Sequence, residues 1–325
     1  MPMPSTLRFP LAYHTDILGP DFDATTLTLP DDHEGPVVAT LIRKLRPEKT
    51  TKAVLYIHGY LDYFFQQEMA ERFNAQGYNF YALDLRKYGR SLLPHQQAYE
   101  VTDLHVYDAE IAQALHIIWR EGHQHLLLAG HSTGGLICSS YAARHAQHPL
   151  IKALWLNSPF FDFHMPKYQK KWLLPQLVKL GQICPNLPLP SGLNKLYAAS
   201  LHQDFYGEWA FNLAWKKPKQ RFVPLSFIRA IYQAQQAIHQ GLTLHVPTLI
   251  MHSHQTQNPK TWGLAAQSSD VILDVTSIAH YGAKIQGDTQ IIALKNALHD
   301  VILSQQPVRE LAYAQLFAWL SKKGL

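Results

Sequence analysis

Leu126-Leu127-Leu128-Ala129-Gly130-His131-Ser132-Thr133-Gly134-Gly135-Leu136 is the stretch that decides the fold. An apolar run of strand character ends in Gly-His-Ser-Thr-Gly and passes straight into a helix-compatible segment. The pattern is a G-x-S-x-G nucleophile elbow in the setting it requires, a buried strand, a sharp turn and a helix. The turn strains the serine backbone, so its neighbours on both sides must lack bulk. Gly130 and Gly134 meet that need, and Gly135 lets the helix pack close to the strand. The strain lifts the Ser132 hydroxyl above the sheet edge, where the N-terminus of the following helix favours developing negative charge.

Outward from the elbow the chain alternates. Before it, the runs Thr25–Leu29 and Val37–Leu45 flank the turn Asp31-Asp32-His33-Glu34-Gly35-Pro36 and predict an antiparallel hairpin. Ala53–His58 reads as a strand, Gln66–Gln76 as a helix, Tyr78–Leu83 as a strand and Val101–Glu121 as a long amphipathic helix. After the elbow helix, Ile151–Asn157 is a further strand. Strands alternating with helices imply parallel pairing by right-handed crossovers, an α/β three-layer sandwich. Ligands in such sheets bind beyond the carboxyl ends of the strands, where Ser132 lies.

Between Ser158 and Val246 the alternation breaks into prolines, aromatics and short helical pieces. It resumes with a strand at Thr248–His252, a helix at Val275–Ala283, a strand at Thr289–Ala293 and a final helix at Val308–Ser321. The expected organisation is a core of residues 1–157 and 247–325 carrying a cap insertion, 158–246. A length of 325 residues accommodates one large core with such an insertion. Apolar residues make up 47% and charged residues 16%, which excludes a disordered chain. There is no apolar run of about 18 residues, and the N-terminus does not read as a signal peptide. The two cysteines, Cys138 and Cys184, do not make a disulfide framework, so a reducing cytoplasm is expected.

Four landmarks carry a family resemblance: His58-Gly59-Tyr60, Asp84-Leu85-Arg86-Lys87-Tyr88-Gly89-Arg90-Ser91, the elbow, and Leu298-His299-Asp300. Together they resemble the α/β-hydrolases of the monoglyceride lipase, lysophospholipase and serine aminopeptidase group, over residues 25–325. The second landmark departs from that group's D-x-R-G-x-G-x-S signature in having Lys87 where a glycine is usual. The resemblance implies an α/β-hydrolase fold with a helical cap and a Ser-His-Asp triad in the chain order Ser, acid, His.

A serine hydroxyl needs a neighbouring imidazole to take its proton, and that imidazole needs an acid to fix its tautomer. Among 19 histidines, His299 stands out by lying between the last strand and the C-terminal helix, where similar enzymes place the base. The acid in similar enzymes follows the strand Thr248–His252 within a few residues, but Ser253–Lys260 offers no carboxylate. Asp270 is the first acid downstream, 29 residues before His299, with Asp274 as the alternative. An insertion at residues 254–268 would carry the acid later in sequence without moving it in space. The oxyanion donors expected are the backbone N–H of Thr133 and, by the family's H-G-x element, that of Tyr60. His58 is expected to order its loop, and Asp84 and Arg86 to play structural roles behind the site. His252 and His254 lack the third ligand a metal centre would need. Triad and oxyanion hole suffice for acyl transfer, so neither a metal nor an organic cofactor is expected.

Residues 158–246 hold eight Lys and two Arg against Asp162, Asp204 and Glu208, a net +7 in a chain of only +5. The insertion is also rich in aromatics. His131, Phe160, Phe161 and Trp209 are candidate substrate-binding residues. A basic, aromatic cap suits an acyl chain with an anionic head group and peripheral contact with anionic lipid; no nucleic-acid-binding domain is recognisable. The expected function is hydrolysis of monoacylglycerol- or lysophospholipid-like esters. An aminopeptidase or amidase of the same fold is the alternative, disfavoured by the cap's poverty in carboxylates. The other is a non-catalytic binding protein, which would usually have lost the serine or the histidine.

Overall fold

The computed structural model describes residues 11–218 and 222–325. The reading of the N-terminus over residues 1–10 lies outside the described residues. In chain order the elements are β1 (His14–Asp16), β2 (Gly19–Asp32), β3 (Gly35–Lys44), β4 (Lys52–Ile57), α1 (Gln67–Ala75), β5 (Asn79–Asp84), α2 (Asp108–Arg120), β6 (His125–His131) and α3 (Thr133–Arg144). There follow β7 (Ile151–Asn157), α4 (Leu174–Ile183), β8 (Pro188–Pro190), α5 (Leu196–Leu201), β9 (Phe222–Pro224), α6 (Leu225–His239), β10 (Thr248–Ser253), α7 (Leu264–Gln267), α8 (Val275–Gly282), β11 (Thr289–Leu294) and α9 (Gln306–Lys322).

Nine strands form one sheet in the order β1-β2-β3-β5-β4-β6-β7-β10-β11. The hairpin end is antiparallel through the β3–β5 pair, and every pair from β5–β4 to β10–β11 is parallel. Alternation along the strands explains the layers. In β4, Ala53, Leu55 and Ile57 face a core with α2 and α3, whereas Val54 and Tyr56 face α1 and α9. In β6, Leu126 and Leu128 take the first face and Leu127 and Ala129 the second. Strands buried on both sides read as unbroken apolar runs, as the elbow strand does.

Val101–Glu121 is not one continuous helix. Asp103 accepts from His105 N and opens a 3-10 turn at Leu104–Tyr107, so the α-helix starts only at Asp108. The short Asx turn outcompetes helix propagation there. Between β7 and β10 the chain leaves the main sheet over residues 158–246. A π-helical turn (Gln169–Leu173) runs into α4, which packs on α6, and α6 in turn packs on α3 and α8. Among the described residues no helix is long and apolar enough to cross a membrane.

Candidate active site

The elbow is built as its sequence dictates. Ser132 has φ 53° and ψ −115°, a left-handed conformation that ends β6 and starts α3 at Thr133. A Cβ on Gly134 would lie 2.2 Å from the Ile57 carbonyl oxygen, and one on Gly130 would lie 2.4 Å from the Gly134 carbonyl oxygen. Only glycine fits either place. The Ser132 N–H donates to Asn157 O at 2.9 Å, tying the turn to the end of β7.

Asp270 is brought back beside the loop that follows β10. The chain leaves β10, excursions through α7 and comes back to pair with itself. Asp270 N donates to Gln255 O and Gln257 N donates to Asp270 O, both at 3.0 Å. The Asp270 carboxylate is fully buried. Oδ1 accepts from the N–H groups of Ile272 and Leu273, each at 2.8 Å, and Oδ2 accepts from His299 Nδ1 at 2.8 Å. Three hydrogen bonds fix the carboxylate firmly, and the one to Nδ1 orients the His299 ring. His299 is itself buried between the rings of His131, 4.9 Å away centre to centre, and Tyr197, at 5.5 Å. Asp274 does something else. It caps α8, accepting from Thr276 N at 3.0 Å, Thr276 Oγ1 at 2.7 Å and Ser277 Oγ at 3.1 Å.

The loop after β4 approaches the elbow so closely that a Cβ on Gly59 would lie 3.2 Å from Ser132 Cβ. His58 donates from Nδ1 to Gly59 O at 2.8 Å and accepts at Nε2 from Leu85 N at 3.1 Å, so it holds that loop. Burial pushes its pKa down, consistent with a neutral ring. Asp84 and Arg86 do not pair with each other. Asp84 binds Arg90, at 2.8 Å, and Phe64 N, whereas Arg86 binds the buried Glu110 at 2.6 Å.

The candidate substrate residues have different settings. Phe161 is wholly buried in the core, while the N–H of the half-buried Phe160 donates to Ser132 O at 3.0 Å. Trp209 lies beside Leu303, to whose carbonyl its indole N–H donates at 2.9 Å. The ring of His131 is buried between Asp62 Oδ2, at 3.7 Å from Nδ1, and Asp300 Oδ2, at 3.9 Å.

Three charged residues of this neighbourhood escape sequence reasoning. Asp300 links to Asn157 Nδ2 at 2.7 Å, and Asp62 forms a 2.7 Å ion pair with Lys216 of the inserted segment. Burial raises the Asp62 carboxyl, but Lys216, helped by His131 and His58, outweighs it and holds the pKa down at about 2. Asp300 stands inside the Leu298-His299-Asp300 landmark, but nothing in the sequence marks it apart from its neighbour His299. Lys216 sits in a Lys-Lys pair that reads as solvated surface, and no signal distinguished it.

Away from the site, Asp32, His33 and Glu100 come within metal-ligating reach of one another. The cation there is Lys87 Nζ, 2.7 Å from Asp32, 2.6 Å from Glu34 and 2.7 Å from Glu100. Cys138 is buried, its thiol pKa pushed up by desolvation, and Cys184 is exposed; both are free.

Residues 48–257 match the family model described as "Serine aminopeptidase, S33". No curated protein sequence matches the chain. Among solved structures, the chain is similar to a soluble variant of monoglyceride lipase from Saccharomyces cerevisiae in complex with a substrate analog. That likeness has TM-score 0.65 and 20% identity, over 92% of this chain and 96% of that one. It is also similar to the monoacylglycerol lipase of Paleococcus ferrophilus, with TM-score 0.60 and 14% identity over 92% and 99%. A third likeness is to mouse alpha/beta hydrolase domain-containing protein 10, with TM-score 0.56 and 16% identity over 92% and 99%. At such identities the likenesses establish the fold, an α/β-hydrolase. With the family model spanning well over half its length, the chain belongs to the serine aminopeptidase S33 family of hydrolases.

Proposed function

We propose that this hydrolase is a serine carboxylester hydrolase in which Ser132 is the nucleophile, His299 the base and Asp270 the acid. The observation that carries the reading is the buried Asp270–His299 hydrogen bond of 2.8 Å, with the His299 ring 4.9 Å from that of His131, the chain neighbour of the strained elbow serine. Asp270 fixes the proton on Nδ1, so Nε2 is free to take the proton of Ser132 Oγ as the oxygen attacks the ester carbonyl. The tetrahedral oxyanion is received by the backbone N–H groups of Tyr60 and Thr133 at the N-terminus of α3. Collapse expels the alcohol, which takes its proton from His299, and water then hydrolyses the acyl-enzyme by the same route. No step calls for a metal or an organic cofactor.

Esters are favoured over peptides by the local charges. An aminopeptidase needs a carboxylate to hold the substrate ammonium. The buried carboxylate nearest His131, Asp62, already carries the Lys216 ammonium. Residues 158–246 act as a cap in this reading. Their outer surface exposes Tyr168, Trp172, Leu173, Leu180 and Ile183, interleaved with the exposed Lys167, Lys171 and Lys179. Apolar side chains flanked by lysines support peripheral contact with an anionic lipid surface and an acyl-lipid substrate. Two free cysteines, one exposed, support a reducing compartment such as the cytoplasm.

The test is a panel of p-nitrophenyl esters of rising acyl length beside aminoacyl p-nitroanilides. Ester turnover lost on Ser132→Ala supports the reading, and preferential anilide turnover would replace it with the aminopeptidase.

A further inference from the structure

Lys216 has the setting of a ligand more than of a side chain. It belongs to the inserted segment, yet it is almost wholly buried. Its ammonium lies 2.7 Å from Asp62 Oδ1 and within 5.4, 5.9 and 5.8 Å of the ring centroids of Phe65, Tyr197 and Phe211. One carboxylate and three aromatic faces make the kind of cage that binds alkylammonium ions. Here the chain supplies the cation itself.

The walls of that cage belong to both halves of the candidate active site. Asp62 Oδ1 also accepts from Tyr63 N at 3.0 Å, so the pair with Lys216 braces the loop two residues after Tyr60. Tyr197 meets the His299 ring edge to face at 5.5 Å. Neighbouring contacts pull the same way: Asn212 N donates to Tyr63 OH at 2.7 Å and Tyr99 OH donates to Trp215 O at 3.2 Å.

We propose that Lys216 is a positioning residue for the reaction, docking the inserted segment through its ammonium so that the Tyr60 loop and His299 are held together over Ser132. The inference rests on the esterase reading above. Lys216 touches no reacting atom in it; it sets where the oxyanion donor and the base stand. Displacement of such groups by about 1 Å costs on the order of 10²-fold in rate.

The experiment uses the full chain and a fluorophosphonate probe, which reports the first chemical step alone, with short p-nitrophenyl esters for kcat and KM. Lys216→Met is expected to slow labelling and kcat by ~10–100-fold, with KM for p-nitrophenyl acetate within about threefold. Lys216→Ala removes three carbons and the ammonium, so n-propylammonium chloride is expected to restore labelling several-fold where equal sodium chloride does not. Turnover of Lys216→Met within twofold of the parent, a change in KM alone, or no rescue by propylammonium would overturn the proposal. A parent protein that is not labelled at all would instead sink the esterase reading. Should the variants fail to fold, reductive methylation of the parent decides: Lys216 is expected to stay unmodified while exposed lysines react, and equal reactivity would refute the cage.

Discussion

If Asp270 is the acid of the proposed triad, replacing it should separate catalysis from stability, because its two oxygens hold different partners. Oδ2 holds His299 Nδ1 at 2.8 Å, while Oδ1 closes a backbone turn through the N–H groups of Ile272 and Leu273. Asp270→Asn keeps one carbonyl oxygen, which can serve either the turn or His299. If the turn keeps the oxygen, the amide nitrogen faces Nδ1–H, and two donors meet. His299 must then turn its ring or move its proton to Nε2, where it can no longer accept from Ser132. Loss of the correct tautomer in a triad is worth about 10⁴ in kcat, or ~5.5 kcal/mol of transition-state stabilisation. Stability should change little, by about 1 kcal/mol, since the turn is still closed. Asp270→Ala removes both functions, leaving two buried N–H groups at about 1–3 kcal/mol each in addition to the catalytic loss. The assay pairs kcat/KM on p-nitrophenyl butyrate with urea unfolding of each variant. Asp274→Ala is the contrast, costing about 1 kcal/mol of helix capping with kcat within twofold. An Asp270→Asn enzyme within tenfold of the parent, or an Asp274 variant that loses more turnover than it, would refute the assignment.

Three further outcomes follow from the geometry. Gly134→Ala puts a Cβ 2.2 Å from the Ile57 carbonyl, so soluble yield and the thermal midpoint should fall sharply; a midpoint unchanged within a degree contradicts the elbow packing. Lys87, Asp32 and Glu34 give stability a defined pH window. Burial opposes all three charges, but their mutual hydrogen bonds prevail, raising Lys87 to about 12 and lowering Asp32 and Glu34. A raised lysine stabilises fully below its ordinary pKa and stops doing so as pH passes about 12, whereas the depressed carboxylates stabilise above their ordinary pKa and stop as pH falls through their native values. Lys87→Met should therefore lower the urea midpoint most between pH 6 and 10, with the deficit shrinking below about pH 4 as the stranded carboxylates protonate; a deficit independent of pH would refute it. Finally, ester turnover should survive exhaustive EDTA dialysis, and loss reversed by a divalent ion would contradict the cofactor-free mechanism.

The sequence carried the scaffold because the physics there is local. A buried parallel strand must be apolar on both faces, and the elbow needs glycine where backbone oxygens approach, so Leu126–Gly135 could be read directly. The hairpin, the strands of the α/β alternation and the terminal helix have the same origin. Asp270 was legible only by arithmetic, since its route through residues 256–269 depends on a backbone bridge between Thr256 and Asp270 that no local pattern encodes. The late start of α2 was hidden by amphipathic spacing that continues through the 3-10 turn at Leu104–Tyr107. Lys87 shows how a departure from a family pattern finds its reason in space: at φ 64° it takes a backbone conformation that suits glycine, held by three carboxylates from two other segments. Lys216 was illegible for the same kind of reason. Whether a lysine is solvated or caged depends on partners at residues 62, 65, 197 and 211, which only the fold assembles.

The central claim, a nucleophilic Ser132 activated by His299, meets its most direct test in intact-mass analysis after fluorophosphonate treatment, with peptide mapping of the adduct. The account predicts one phosphonyl group per chain, carried by Ser132, absent from Ser132→Ala and formed far more slowly in His299→Ala. An ester-hydrolysing preparation with no adduct, or with its adduct on another residue, would contradict it.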